Sequence, residues 1–379
     1  MPFAAALSGH PDAASAVGEL VGEVTEQLGV RPDLAVLFVS AAHVGDVAQV
    51  AATIQSLLDP RAFIGATAIG VVGGSQGIED APGMSLWAAR LPGRITPFHL
   101  EAQPDGDAWR IVGMPTAEAD AAGTMLLLPD PFTFPLAELI AELGTARPDL
   151  SVVGGLASAA SRAGGNRLVI GGRVVRHGAV GVLLDAALAP TTVVSQGCRP
   201  IGRPFTVTRS ERNVLFELAG RPALERLMEV VESLSPDEKL LVSQGVHCGI
   251  VADEHQADFE RGDFLVRAVL GADRENGAIA VGENVPVGAT VQFQVRDAST
   301  AAEDLRSLLA GHRSEGALVF TCNGRGAAMF GDADHDARIV SDQLGRPAIA
   351  GMFCAGEIGP VAGRTAIHGF TASIALFRD

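Results

Sequence analysis

The sequence has no tyrosine, one lysine, two tryptophans and four cysteines in 379 residues. Each scarcity closes off some chemistry. Lys239 sits in SPDEKLL with no glycine-rich run before it. That excludes a phosphate-binding P-loop, whose lysine directly follows the glycines. The cysteines stand far apart, at 198, 248, 322 and 354, so there is no C-x-x-C for zinc or redox work. A chain that can bury a sizeable core does not need disulfides, and reduced thiols are expected. Positive charge is also scarce. Lys+Arg number 28 against 44 Asp+Glu, and the net charge of -16 argues against nucleic acid or an anionic membrane as partner. No apolar run approaches the roughly 20 residues of a membrane helix. The N-terminus MPFAAALSGHPDAASAVGEL lacks an early basic residue and breaks at His10-Pro11, unlike a signal peptide. A cytoplasmic protein without membrane insertion is expected.

What is present is a core-forming chain, 47% hydrophobic, with a recurring rhythm. LAVLFVSA (34–41) reads as a buried strand and VGDVAQVAATIQSLLDP as a helix. The Gly-rich run FIGATAIGVVGG (63–74) and the strand MSLWAARLP (84–92) follow. A second copy runs through TMLLLPD, FPLAELIAELG, VVGGLASA and GAVGVLLDA. A third is expected from KLLVSQG (239–245) through DFLVRAVLG to ATVQFQVRD, with its helix lost. A fourth runs through GALVFTCNGRG, a helix near ARIVSDQLG, AIAGMFCAG and FTASIALF. The first two strands of each unit would pair in parallel through a crossover, and the last two would lie as antiparallel neighbours. The expected fold is α/β (or α+β), with mixed sheets covered by helices, in two domains, 1–190 and 191–379.

Several blocks then carry a family resemblance. GCRPIGRPFTVTRSERNVLFELAGRPALERL (197–227), GDFLVRAVLGADRENGAIAVGENVPVGATVQFQVRDA (262–298), GALVFTCNGRGAAMFG (316–331) and FCAGEIGPVAGRTAIHGFTASIALF resemble the FIST C domain. LAVLFVSAAH, FIGATAIGVVG and VVGGLASAASRAGGNRLVIGGRVVRHGAVGVLL resemble the FIST N domain. The resemblance implies a stand-alone sensory module that binds a small ligand, with amino acids proposed for the family. It also brings in an alternative, a haem-binding nitric oxide sensor. No kinase, cyclase or DNA-binding segment is recognisable, so a separate signalling protein is the expected partner.

An amino-acid site needs a group for the ammonium and a donor fork or backbone N–H groups for the carboxylate. Glu357 supplies an acid. Arg364 and Arg325, the latter in CNGRG, supply forks, and glycines at 324, 326, 356 and 359 would admit backbone amides. Asn323, Cys354 and His368 complete the expected ligand-binding set, because strand-end loops favour ligands in α/β sheets. The bland alternative is that Glu357 and Arg364 pair with each other. Cys354 and His368 also suggest a thiol and its base, the enzyme alternative, but no third group orients them. No cofactor is expected on sequence grounds. A haem would take its axial ligand from His43, His247 or His368.

Other motifs carry less. GDADHDARIVSD (331–342) has alternating aspartates but lacks the Gly and Glu of a calcium loop, and reads as an acidic helix cap. Gly73-Gly74-Ser75-Gln76-Gly77 matches G-x-S-x-G, yet IEDAPGM after it is turn-like, so a hairpin is expected. His247-Cys248 is expected to be buried structure.

Overall fold

The computed structural model describes residues 2–106, 108–115, 123–256 and 258–378. Every residue of the strand Leu34–Ser40 is buried, because both faces of its sheet are covered. One face meets helices. In Ala13–Leu28, Asp12 caps the start by accepting from Ser15 N and Gly29 ends the helix in the left-handed region, while Ala16, Val17, Leu20, Val24 and Leu28 form the buried stripe. The other face meets the inner faces of two further sheets. Phe38, Ile64, Leu126, Val180, Phe320 and Met352 share that central core.

The three sheets are built alike. Leu34–Ser40 pairs in parallel with Ala62–Ala68 after the helix Val47–Leu58, and Met84–Ala89 returns antiparallel. Gly123–Pro129, the helix Leu136–Ala146, Leu150–Gly155 and Ala179–Asp185 repeat this. So do Gly316–Cys322, the helix His335–Leu344, Ala348–Cys354 and Thr371–Phe377. One expectation is corrected throughout. The returning strand pairs with the first strand, not the second. The outer edge of the second strand is taken by a hairpin from another unit. Gly70–Gly73 with Gln76–Glu79 joins Ala348–Cys354. Leu168–Ile170 with Arg173–Val175 joins Ala62–Ala68. Glu357–Val361 with Arg364–His368 joins Leu150–Gly155. Each unit thus donates the hairpin between its second and third strands to the next sheet, in a closed cycle of three. The G-x-S-x-G match lies in the first of these hairpins, as a turn.

The expected unit at 239–297 is also corrected. Residues 236–243 form a helix, with a capping box between Ser235 and Glu238 and Pro236 in its first turn. The strands around it form an antiparallel sheet that closes on itself. It runs from Thr290–Arg296 through Phe205–Glu211, Val214–Leu218, Ala278–Val281, Phe264–Asp273 and Val246–Val251 back to Thr290–Arg296. Val207, Leu215, Ile279, Phe293 and Val295 belong to the core of this small barrel. The barrel is inserted between Thr191–Gln196 and the helix Ala298–Leu309, both of which belong with the third sheet. Among the described residues no helix is long and apolar enough to cross a membrane.

Candidate functional site

The parallel strands Gly316–Cys322 and Ala348–Cys354 end side by side, with Cys322 opposite Cys354. Asn323-Gly324-Arg325 leaves the first. Ala355-Gly356 leaves the second and enters the hairpin that crosses to the neighbouring sheet. Gly363, with φ of 75°, makes that hairpin's turn. The chain returns through Gly369-Phe370 into Thr371–Phe377. The two sheets are very close here: a Cβ at Gly359 would stand 2.6 Å from Val194 Cγ2. Much of the glycine content of the segment therefore serves chain crossing.

Arg325 is fully buried. Its Nε and Nη2 donate to Asp336 at 2.6 and 2.9 Å, a bidentate fork. Thr321 Oγ1 donates to the same carboxylate at 2.6 Å, and His335 Nδ1 lies 3.0 Å from it. Burial works against ionisation of Asp336, but the Arg325 charge and these hydrogen bonds hold its carboxyl well below the usual range. Asp336, expected to cap a helix, is thus the buried partner of Arg325. The remaining guanidinium nitrogen, Nη1, has no protein partner and faces Gly197, 3.0 Å from where a Cβ would be.

Glu357 is also fully buried. Its Oε2 accepts from Thr371 N at 3.2 Å and Thr371 Oγ1 at 2.8 Å; its Oε1 accepts from no N–H or O–H among the described residues, and the Cys322 thiol lies beside the carboxylate. Burial pushes its pKa up to about 8, against the opposing pull of the Thr371 hydrogen bonds and the Arg325 charge.

The other expected site residues divide. Asn323 is exposed, with its backbone N–H donating to the Cys354 carbonyl at 2.9 Å. Arg364 is exposed at the far end of the hairpin, opposite Val361, whereas Glu357 lies opposite His368. Four strand positions, about 13 Å, separate Arg364 from Glu357. They neither pair nor share a site, and Arg364 instead lines a separate cleft of about 840 Å³ with Arg147 and Thr365. Cys354 Sγ points to the Met352 carbonyl at 3.5 Å, and His368 Nε2 lies 3.1 Å from the Gly359 carbonyl. Burial, then the nearby Glu357 charge, pushes the Cys354 thiol far up; burial also lowers His368 to about 4. A thiol with raised pKa and a histidine with lowered pKa are the reverse of an activated pair.

Sequence reasoning missed what surrounds Phe370. This residue holds a left-handed φ of 61°, costly for a bulky side chain and common at functional positions. Its ring lies edge-on to His247, 4.3 Å between centroids, and against Gly324. Its carbonyl accepts from Gly197 N at 2.8 Å. Six of the nine buried side-chain atoms without a hydrogen-bond partner among the described residues belong to the chains meeting here. They are Gln196 Oε1, His247 Nδ1, both amide atoms of Gln294, Arg325 Nη1 and Glu357 Oε1. Burial, then the Arg296 charge, lowers His247 to about 4, so its ring is neutral. Phe370 also lines a cleft of about 600 Å³ between the barrel and the closing hairpin, walled by Val266, Arg267, Gly356, Ile367 and His368. Glu357, Arg325 and His247 stand out in the sequence by type, whereas Gln196 and Gln294 show only as polar residues in the apolar strands VVSQ and VQFQV.

All three histidines named as haem candidates are buried. His43 Nε2 lies 3.1 Å from the His10 carbonyl, His368 is held by Gly359, and His247 packs on Phe370.

Among known proteins, residues 33–221 match the FIST N domain and residues 223–360 the FIST C domain. An uncharacterized protein of Mycobacterium tuberculosis is 47% identical over the full length of both chains. One of Mycobacterium bovis is 48% identical over 97% of each.

Proposed function

Since the chain belongs to the FIST family, with N and C domains in one polypeptide, we propose that it is a non-catalytic sensory protein. FIST domains are associated with sensing in signal transduction. The ligand is a small polar metabolite of the amino-acid class, bound around Phe370 at the junction of barrel and sheets. It passes its occupancy to a separate signalling protein.

The observation that carries this reading is the set of buried, unpartnered polar atoms on the segments that meet around Phe370, the residue that itself lines the cleft. Native proteins leave few buried polar groups unsatisfied, because each costs roughly 1–3 kcal/mol. Six such atoms on segments that adjoin one another fit a site that a ligand completes. The chemistry follows from the groups. Arg325 Nη1 donates to a carboxylate. His247 and Gln294 accept and donate at neutral groups. Glu357, with its pKa near 8, holds its proton at neutral pH. An ammonium placed against Glu357 would expel that proton, so binding would release protons to the buffer.

The test combines mass spectrometry of small molecules released on denaturation with thermal melts against a panel of amino acids. Gln294→Leu is the diagnostic variant. It replaces an unsatisfied buried amide by an apolar side chain of similar size. The protein without ligand should then gain about 1 kcal/mol, while the ligand-induced rise in Tm disappears. An unchanged ligand-induced rise in the variant would remove Gln294 from the site. Loss of stability without ligand would make the amide a structural group instead.

A further inference from the structure

A second set of polar side chains lies far from Phe370, on the second sheet. His99 and Glu101 are two residues apart on the strand Ile95–Asp105 and so share a face. That strand pairs with Ala179–Asp185, Val180 opposite His99 and Ala179 opposite Leu100. The chain enters Ala179–Asp185 through His177-Gly178. Gly178 has φ of 81°, and a Cβ there would stand 2.1 Å from the Leu100 carbonyl oxygen and 3.0 Å from His99 Nε2. Only glycine permits this approach. The turn is braced by Thr133 Oγ1, which accepts from Gly178 N at 3.0 Å, and by the Gly178 carbonyl, which accepts from Asp130 N at 2.9 Å. His177 is thereby held over His99, the two rings T-shaped at 5.5 Å.

Three potential ligand atoms converge. His99 Nδ1 lies 3.6 Å and His177 Nε2 3.3 Å from Glu101 Oε1, and all three atoms fall within 4.8 Å of one another. Ligands about 2.0–2.1 Å from a tetrahedral ion stand about 3.3–3.4 Å apart, close to these spacings. The tautomer adds a second, independent reason. His99 Nε2 lies 3.0 Å from the His177 backbone carbonyl, which can only accept. His99 therefore carries its proton on Nε2, and in the neutral ring Nδ1 presents a lone pair to the Glu101 carboxylate. Two acceptors then face each other, and a metal ion between them would satisfy both. A backbone carbonyl that fixes the outer nitrogen of a histidine is the usual outer shell of a metal-ligating imidazole.

We propose that His99, Glu101 and His177 bind one divalent cation of the zinc class, with the remaining coordination positions open to water. Two imidazoles and one carboxylate suit zinc and exclude an all-oxygen calcium or magnesium cage. Side-chain exposures of 20% for His99, 44% for Glu101 and 57% for His177 leave the outer side of the ion open. The ion would tie the strand Ile95–Asp105 to the turn that starts Ala179–Asp185.

The test is calorimetric titration of the full chain with zinc chloride in a non-chelating buffer, beside His177→Ala and Glu101→Gln. Wild type should take up one equivalent. Loss of an outer-shell partner alone costs about 10–100-fold in affinity, so each variant should bind at least about tenfold more weakly. Both positions are substantially exposed, and metal-free melts of the variants should match wild type. A parallel cobalt titration should show d–d bands without thiolate charge transfer, since the four cysteines are buried. If wild type takes up no zinc, the proposal fails. It fails equally if both variants keep wild-type affinity, or if thiolate bands dominate the cobalt spectrum.

Discussion

Glu357 is the residue whose behaviour depends most on its surroundings. Burial raises its pKa from 4.5 to about 8. Between these values the unfolded chain has released the proton and the folded chain still holds it. The contribution of Glu357 to stability is therefore whole below about pH 4.5 and declines as the pH rises toward 8. Glu357→Gln mimics the protonated acid and has no such dependence. The linkage gap between the two proteins should be about 1 kcal/mol or less at pH 5, and by pH 8 it should favour the variant by on the order of 3–5 kcal/mol. Parallel melts from pH 5 to 8 check this, and a constant gap would mean that Glu357 is ionised throughout. His247 and His368 act in the opposite direction. Burial lowers both from 6.5 to about 4, so their contribution is present above 6.5 and is lost on acidification through about 4. The chemical types at Glu357, Arg325 and His368 were legible in the sequence. Their partners were not: spacing offered Arg364 to Glu357, whereas Arg325 is held by Asp336, eleven residues on, in a helix.

At the scale of elements, the strand Thr371–Phe377 shows how much an apolar run can say. All seven residues are buried, and the strand lies between Thr191–Gln196 and Gly316–Cys322. FTASIALF carries no charge on either face, as an interior strand requires. Deleting the chain from Phe370 onward would strip Gly316–Cys322 of its antiparallel partner and expose a long apolar edge. The truncated protein should go to the insoluble fraction on expression. A soluble product with an unchanged melt would show the strand to be peripheral. The helix Pro236–Ser243 taught the opposite lesson. KLLVSQG looked like a strand from its apolar residues, but the capping box before it had already committed the chain to a helix.

At the scale of the molecule, the cyclic exchange of hairpins ties the two halves of the chain to each other. The hairpin at 70–79 completes a sheet whose other strands come from residues beyond 190, and the hairpin at 357–368 completes one built mainly from residues before 190. Fragments 1–190 and 191–379, expressed apart, should each lack a cooperative thermal transition, because each leaves a sheet edge without its partner. A sharp melt for either fragment alone would contradict this. The same exchange carries the closing segment between sheets, where it meets the barrel and brings Glu357, Arg325 and Phe370 together.

The sequence by itself determined the central strands of three units, most helices and the α/β character. Periodicity, capping and turn chemistry act within a few residues and are written locally. It also carried enough ordered blocks to point to the family. Only the tertiary structure decided which edges the hairpins cover, that residues 205–296 close into a barrel, and which polar groups meet. Those outcomes depend on contacts between segments up to hundreds of residues apart: Gly77 N bonds Asp334 Oδ1, and Trp87 Nε1 bonds the Ala348 carbonyl. Gln196 and Gln294 gave only faint local signals, because a polar residue in a strand is ordinary until its neighbours prove to be buried and unable to satisfy it.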